Sequence, residues 1–126
     1  MMRRYHKPSL ELRSMFNAEW KFAKSIFPSL RKEHKPMFYV ATNLGSWHGI
    51  HSGRVATIGH KVNGRWVKGR HLIAIQKKHS QSESGKVLST IRHEIIHCIH
   101  QNHGRDFKLC LSHLNEKARR KNELDS

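Results

Sequence analysis

Two histidines separated by three residues flank a glutamate, in the order His93-Glu94-Ile95-Ile96-His97. On an α-helix, side chains four residues apart lie about 5–6 Å from each other, so both imidazoles can bind one metal ion. Glu94 lies beside the first ligand and can reach a water at the open position of the metal, where it would act as general base. This HExxH spacing therefore predicts a zinc-dependent hydrolase, with His93 and His97 as ligands and Glu94 as the catalytic residue.

A catalytic zinc site needs a third protein ligand. His103 follows His97 within Asn102-His103-Gly104, where asparagine can end a helix and glycine lets the chain turn. We therefore expect His103 to fold back towards the pair as the third ligand. His100 is the competing candidate, but about 10 Å of helix rise separates it from His93, so we place it beside the site or at the surface.

The elements around this motif are predicted from apolar periodicity. A helix over about residues 86–101 would bury a stripe formed by Leu88, Ile91, Ile95 and Ile99 and present its histidines on the opposite face. A closing helix over about residues 105–120 carries a second stripe, which consists of Phe107, Cys110, Leu111, Leu114 and Ala118. A first helix over residues 9–27 carries a third, which consists of Leu12, Phe16, Trp20, Ala23 and Phe27, with Ser9 as its cap.

Strand signals fill the region between the first helix and the motif. Apolar β-prone runs at residues 37–41, 55–58 and 71–75 predict three strands. Asn63-Gly64 predicts a two-residue hairpin turn between residues 61–62 and 65–67. Residues 79–85 form a polar loop, and the tail after residue 120 is expected to fray. The fold class is thus α+β: an N-terminal helix, a small, mostly antiparallel sheet of three or four strands, the metal helix and a closing helix.

Length and composition indicate one domain, spanning residues 1–126, with a formal net charge of +15 and 37% hydrophobic residues. No run approaches the roughly 18 apolar residues of a membrane span, and no apolar segment follows the basic N-terminus. We therefore expect an intracellular monomer without a membrane partner, either cytoplasmic or nucleoid-associated, or a viral protein in the host cytoplasm. Cys98 and Cys110 lack metal-type CxxC spacing and are expected to be reduced thiols packed as small apolar groups.

Basic residues are interleaved with Trp47 and Trp66 in the strand region. Cations can follow phosphates while indoles stack on bases, so this composition favours a nucleic acid, preferably single-stranded DNA, as a partner. The candidate contacts are Arg65, Trp66, Lys68, Arg70, Lys77 and Lys78. The alternative is a solvated basic face with tryptophans in the core.

The motif continues as His103-Gly104-Arg105-Asp106-Phe107, so that residues 93–107 resemble the HExxH…HGxxF signature of SprT-like zinc metallopeptidases, which include Spartan-type DNA-dependent proteases. The spacing between His97 and His103 is shorter than is usual there and equals that of the similar WLM-type metallopeptidases. The resemblance implies a zincin-like fold, zinc ligands at His93, His97 and His103, Glu94 as the base, and Phe107 packed behind the site.

These observations leave three functions open. The first is a zinc metallopeptidase that hydrolyses peptide bonds in DNA-associated proteins. The second is a non-catalytic, basic nucleic-acid-binding protein whose structural zinc would take a fourth ligand from His100, Cys98 or His113. The third is metal-dependent hydrolysis of a bond other than a peptide bond.

Overall fold

The computed structural model describes residues 3–80 and 84–125, which form an α+β fold. Its strands are β1 (Arg4–His6), β2 (Met37–Thr42), β3 (Gly49–Ser52), β4 (His60–Val62), β5 (Arg65–Val67) and β6 (Leu72–Gln76). Its helices are α1 (Leu10–Ile26), α2 (Arg54–Thr57), α3 (Ser84–Ile96) and α4 (Arg105–Asp125), with 3-10 turns at Pro28–Lys32 and Lys77–His79. None of these helices is long and apolar enough to cross a membrane.

The main sheet has four strands in the order β1-β2-β6-β3. β2 and β6 are parallel, whereas β1–β2 and β3–β6 are antiparallel, so the sheet is mixed. β4 and β5 form a separate hairpin, and Asn63 and Gly64 both have positive φ at its turn, as that dipeptide predicts. The predicted strands at residues 37–41 and 71–75 correspond to β2 and β6.

The central strand β6 is buried on both faces, which explains why all of its residues except Gln76 are apolar. Ile73 and Ile75 pack into a core formed with α1, α3 and α4. Leu72 and Ala74 point to the opposite side, into a second core with Met37, Ala41 and other residues of the strand region. Helices α1, α3 and α4 therefore lie on one face of the sheet, and α3 is held against it.

Helix α1 agrees closely with its sequence pattern. The Ser9 hydroxyl accepts a hydrogen bond from the Leu12 N–H at 3.1 Å, which satisfies one of the free donors at the helix start. The buried residues of α1 are Leu12, Phe16, Trp20 and Ala23, while Phe27 lies just past the last turn and is half-buried.

One predicted strand is wrong: residues 55–58 lie mostly in the short helix α2 and not in a strand. The Ile58 N–H donates to the Arg54 carbonyl at 2.8 Å, and glycines precede and follow this single helical turn. Only Val55 is fully buried, whereas Ile58 is exposed, so the run has one buried anchor and no strand partner. Packing of that anchor outweighs the weak β preference of the residues.

The boundaries of the two C-terminal helices also differ from prediction. α3 ends at Ile96 instead of near residue 101, because the amides of Cys98 and Ile99 bond to carbonyls three residues back, at 2.9 Å each. α4 continues to Asp125, where we had predicted a frayed tail, and ion pairs of Arg119 and Arg120 with Glu116 lie on its last turns. Strands β1 and β3 were not predicted. Within the predicted loop at residues 79–85, residues 81–83 lie outside the described part of the chain, whereas His79 ends the second 3-10 turn and α3 already begins at Ser84.

Candidate metal centre

Helix α3 carries His93 and Glu94, and His97 follows its last residue. Ile91, Ile95 and Ile96 are fully buried against the core, while Leu88 and Ile99 of the predicted stripe are half-buried. This packing fixes the rotation of the helix about its axis. It leaves the histidines half-buried beside a cleft, on the side of the helix that the periodicity indicates.

The three predicted ligands converge. His103 Nε2 lies 3.0 Å from His93 Nε2 and 2.9 Å from His97 Nε2. Each of these residues therefore has a ring nitrogen within 4.8 Å of the other two, a separation that one metal ion can bridge. In the described part of the chain, none of His100, Cys98 and His113 belongs to this group.

The turn after α3 explains how His103 reaches the other two. Since the helix ends at Ile96, the chain reverses before α4 begins at Arg105, and His103 lies within this reversal. The His97 Nδ1–H donates to the His100 carbonyl at 3.1 Å. His100 thus contributes its backbone to the site.

The donor set fits a zinc ion. Because the His97 Nδ1 carries the proton that is donated to a carbonyl, its Nε2 presents a lone pair to the point where the three rings meet. Burial lowers the pKa of His93 to about 4, with further contributions from His97 and His103, and burial also lowers the pKa of His97. Both imidazoles are therefore neutral at pH 7, which is the form that binds metals.

Phe107 packs beneath the three histidines. Its ring centroid lies 4.9, 4.6 and 4.9 Å from those of His93, His97 and His103, respectively, and its side chain is buried. Phe107 belongs to the first turn of α4, so the closing helix is anchored directly under the candidate site. An apolar floor of this kind limits the access of water to the ligands.

Glu94 is buried beside the histidines without joining them. It is only 5% exposed, and its Oε1 lies 4.0 Å from His97 Nε2. Burial raises the pKa of Glu94 to about 8. A divalent cation at the histidines would favour the ionised carboxylate and oppose this shift.

A cleft of about 970 Å³ opens above Glu94, between strand β3 and helix α3. Trp47, His48 and His51 line it, and Trp47 is 60% exposed. The Gln76 side-chain amide donates to the carbonyls of Gly45 and Trp47 at 3.0 and 3.1 Å, which ties this loop to the end of β6. β3 pairs only with β6 among the described strands, so its second edge is unpaired.

A second group of possible ligands was not predicted: His51, His71 and Cys98. His51 lies on β3, His71 precedes β6, and Cys98 lies in the turn after α3. Their wide sequence separation gave no ligand spacing to detect. Cys98 and Cys110 are both free, as expected, and Cys98 is half-buried. Burial, with the negative charges of Glu33 and Glu94, raises the pKa of the Cys98 thiol.

The candidate nucleic-acid contacts lie in two places. Arg65, Trp66, Lys68 and Arg70 lie on or beside the β4–β5 hairpin, while Lys77 and Lys78 follow β6 at its other end, about 20 Å of strand away. All six are exposed. Trp66 is 61% exposed and lies over Gly59, where a Cβ would be 2.6 Å from the indole. The Arg70 Nε–H donates to the Lys35 carbonyl at 2.8 Å, so its head group is partly engaged.

Comparison with known proteins gives no relatives for this chain. No protein-family model matches it. Neither the curated proteins nor the solved structures give a significant match. The likeness to SprT-like peptidases is therefore carried by the motif in residues 93–107.

Proposed function

We propose that this protein is a zinc metallopeptidase of the SprT-like type, acting on proteins associated with DNA. The observation that carries the proposal is the convergence of the His93, His97 and His103 Nε2 atoms beside a buried carboxylate in an open cleft. Three neutral nitrogen ligands with an adjacent acid are the protein contribution to a hydrolytic zinc site.

Each residue has a distinct role in the proposed reaction. His93, His97 and His103 would hold the zinc, which supplies a Lewis acid that polarises a carbonyl and lowers the pKa of a water. Glu94 accepts the proton of the attacking water on a carboxylate oxygen and later delivers it to the leaving amine. Glu94 is buried between its own helix, α3, and Gly49 of β3, which keeps its carboxylate at the floor of the cleft.

The cleft favours an extended peptide as substrate. The unpaired edge of β3 runs along one wall and offers backbone N–H and C=O groups that a substrate strand can pair with. The Glu94 carboxylate lies at the foot of that wall, so a peptide bound there passes over the candidate zinc site. A small molecule could not form a series of hydrogen bonds with this row of backbone groups.

The charge of the chain favours substrates located on a polyanion. A formal charge of +15 on 126 residues draws the protein to nucleic acid and increases its local concentration near DNA-bound proteins. The exposed Arg65, Trp66 and Lys68 on the hairpin combine cations with an indole, which suits single-stranded DNA.

The competing function is a nucleic-acid-binding protein with a structural zinc. Such a site is normally closed by four protein ligands. The proposed fourth ligands do not join the three histidines: Cys98 belongs to the second group, and His113 packs its ring against Phe27 on another side of the molecule. This arrangement favours a site with an open position, as a peptidase requires.

The decisive experiment compares the parent with Glu94→Gln on a basic DNA-binding protein, with and without single-stranded DNA. We expect cleavage by the zinc-loaded parent and its loss, by at least about 100-fold, in the variant. Elemental analysis should find the same zinc content in both, because Glu94 is not a ligand. Equal cleavage by the two proteins would refute the peptidase proposal, and so would an inactive parent that is fully loaded with zinc.

A further inference from the structure

The second group lies where three separate parts of the fold meet. His51 Nε2 lies 2.8 Å from His71 Nδ1, and the Cys98 sulfur is within 4.8 Å of a ring nitrogen of each histidine. All three side chains are half-buried. Two imidazole nitrogens and one sulfur therefore point at a common volume away from bulk solvent.

Glu33 orients the central histidine of this group. Its Oε2 lies 3.4 Å from His71 Nε2, an ion-pair distance at which the carboxylate favours a proton on that nitrogen and leaves the Nδ1 lone pair for the common volume. A carboxylate on the outer nitrogen of a histidine is the usual support of a metal-binding imidazole, because it fixes the tautomer and raises the basicity of the ligand.

We propose that His51, His71 and Cys98 form a second metal site, which takes a borderline-soft divalent ion, Zn²⁺ foremost. Imidazole and thiolate are the donors that such ions prefer, and hard ions such as Mg²⁺ or Ca²⁺ would find no oxygen ligand among the three. Glu33 supports His71 as the carboxylate next to its outer nitrogen.

The proposed ion would stabilise the neighbouring site formed by His93, His97 and His103. It would link strand β3, the segment before β6 and the turn after α3. Cys98 is the residue after His97, so a metal on its sulfur would fix the turn that directs His97 and leads to His103. The rings of His51 and His97 are 5.8 Å apart between centroids and nearly parallel, which places the two groups side by side.

The two sites use different donors, and cobalt can distinguish them. The first group offers only nitrogen, whereas the second includes a thiolate. A Co²⁺ ion bound by a thiolate gives a sulfur-to-metal charge-transfer band in the near ultraviolet, and one bound by three imidazoles does not. The second site can therefore be tested without any measurement of peptidase activity.

The experiment titrates the metal-free protein with Co²⁺ and records the thiolate band and the stoichiometry. We expect two ions per chain in the parent, one of which gives the band. Cys98→Ser should remove the band and one ion, while His103→Ala should retain the band. Cys110→Ser is the matched control, because Cys110 lies on α4 outside the group, and it should behave as the parent.

A milder variant tests the role of Glu33. Glu33→Gln should keep the band but lower the affinity of this site for Co²⁺ and for competing Zn²⁺ by about 10- to 100-fold, as expected for loss of a carboxylate that supports a ligand. A folded parent that binds Co²⁺ without a thiolate band would overturn the proposal, leaving a His51–His71 hydrogen bond with Glu33 beside it. A band that persists in Cys98→Ser would also overturn it. Neither result would bear on the His93–His97–His103 site.

Discussion

Gly49 and Glu94 are in such close contact that the glycine has no room for a side chain. A Cβ on Gly49 would lie 3.1 Å from Glu94 Oε2, 3.1 Å from the Ala74 carbonyl oxygen and 2.8 Å from Thr90 Cγ2. The edge strand β3 can therefore lie directly on helix α3 at the carboxylate. This contact positions the candidate base relative to the strand on which we propose the substrate binds.

Gly49→Ala should push β3 away from α3, because the new Cβ would clash with the Thr90 and Glu94 side chains of that helix and the Ala74 carbonyl of the central strand cannot yield either. We expect the free energy of unfolding to fall by about 1–3 kcal/mol, as for other overpacked sites. Peptide cleavage should fall by about 10-fold or more at unchanged zinc content, because a displaced carboxylate is a poorer base. Urea unfolding, cleavage rates and elemental analysis measure the three effects.

Two further variants test this explanation. Gly53→Ala is the matched control, since the nearest atom to its Cβ would be His51 Cε1 at 3.4 Å and its φ is −78°. Adding Thr90→Ser to Gly49→Ala removes the methyl group at 2.8 Å and should restore part of the lost stability. Equal effects of the two glycine substitutions would argue against a specific contact at Gly49.

His100 and His103 provide a direct test of the third ligand. His100 accepts a hydrogen bond from His97 through its backbone carbonyl, whereas His103 presents its Nε2 to both other histidines. His103→Ala should therefore weaken zinc binding by more than about 100-fold. Loss of a residue that only hydrogen-bonds a ligand usually costs less than this. His100→Ala keeps the carbonyl and should retain the parent affinity. A larger loss in His100→Ala, measured by competition with a chelating dye, would reverse the assignment.

Arg92 secures helix α3 next to the first ligand. Its guanidinium donates to both carboxylate oxygens of Glu19 on α1, at 3.0 and 3.2 Å, and to the Asn115 side-chain oxygen on α4 at 3.2 Å. Lysine lacks this planar fork, so Arg92→Lys should lower the free energy of unfolding by about 1–3 kcal/mol in urea titrations. Arg119→Lys, in an exposed ion pair, should cause no measurable change, and similar losses in both variants would contradict this account.

The hairpin surface, formed by Arg65, Trp66 and Lys68, should carry the contacts with single-stranded DNA. Arg65→Glu/Lys68→Glu should weaken binding of single-stranded DNA about 10-fold or more in low salt. The log of the binding constant should also fall less steeply with the log of the salt concentration, with a slope smaller in magnitude by about 2. Lys108→Glu/Lys117→Glu makes the same charge change at exposed positions of α4 and serves as the control. Equal losses in the two double variants would indicate that net charge alone drives binding.

The sequence pattern was informative where the chemistry is local. Helix α1, the Asn63-Gly64 hairpin and the strands β2 and β6 follow from caps, turn residues and apolar runs, which act over a few neighbouring residues. The convergence of His103 with His93 and His97 was predicted from one helix and one break. Strand β3 was missed because its glycine, which breaks strands in general, is required here by the close approach of Glu94.

The second ligand group could not be predicted from local patterns. His51, His71 and Cys98 are brought together by strand pairing and by the turn after α3, and no spacing rule connects them. The same holds for Glu33, which reaches His71 from the segment after a 3-10 turn. The strand predicted for residues 55–58 was wrong for a related reason, since only the tertiary packing of Val55 shows that this apolar run is helical.

Burial of Glu94 predicts an unusual dependence of stability on pH in the metal-free protein. The pKa of its carboxyl is about 8 when folded, against an ordinary value of 4.5. Between these values the folded chain keeps a proton that the unfolded chain has lost, so this group destabilises the fold increasingly as pH rises. Glutamine resembles the protonated acid and does not titrate.

Metal-free Glu94→Gln should therefore be more stable than the metal-free parent by about 2–4 kcal/mol at pH 8.5, and the difference should decrease as the pH falls and approach zero below pH 4.5. The histidines with lowered pKa destabilise both proteins as pH falls below about 6.5, and this effect cancels in the comparison. Urea unfolding with a chelator present gives both values. With zinc bound, the advantage of glutamine should shrink, because the cation favours the carboxylate. A difference that is constant with pH would mean that Glu94 is ionised in the metal-free fold.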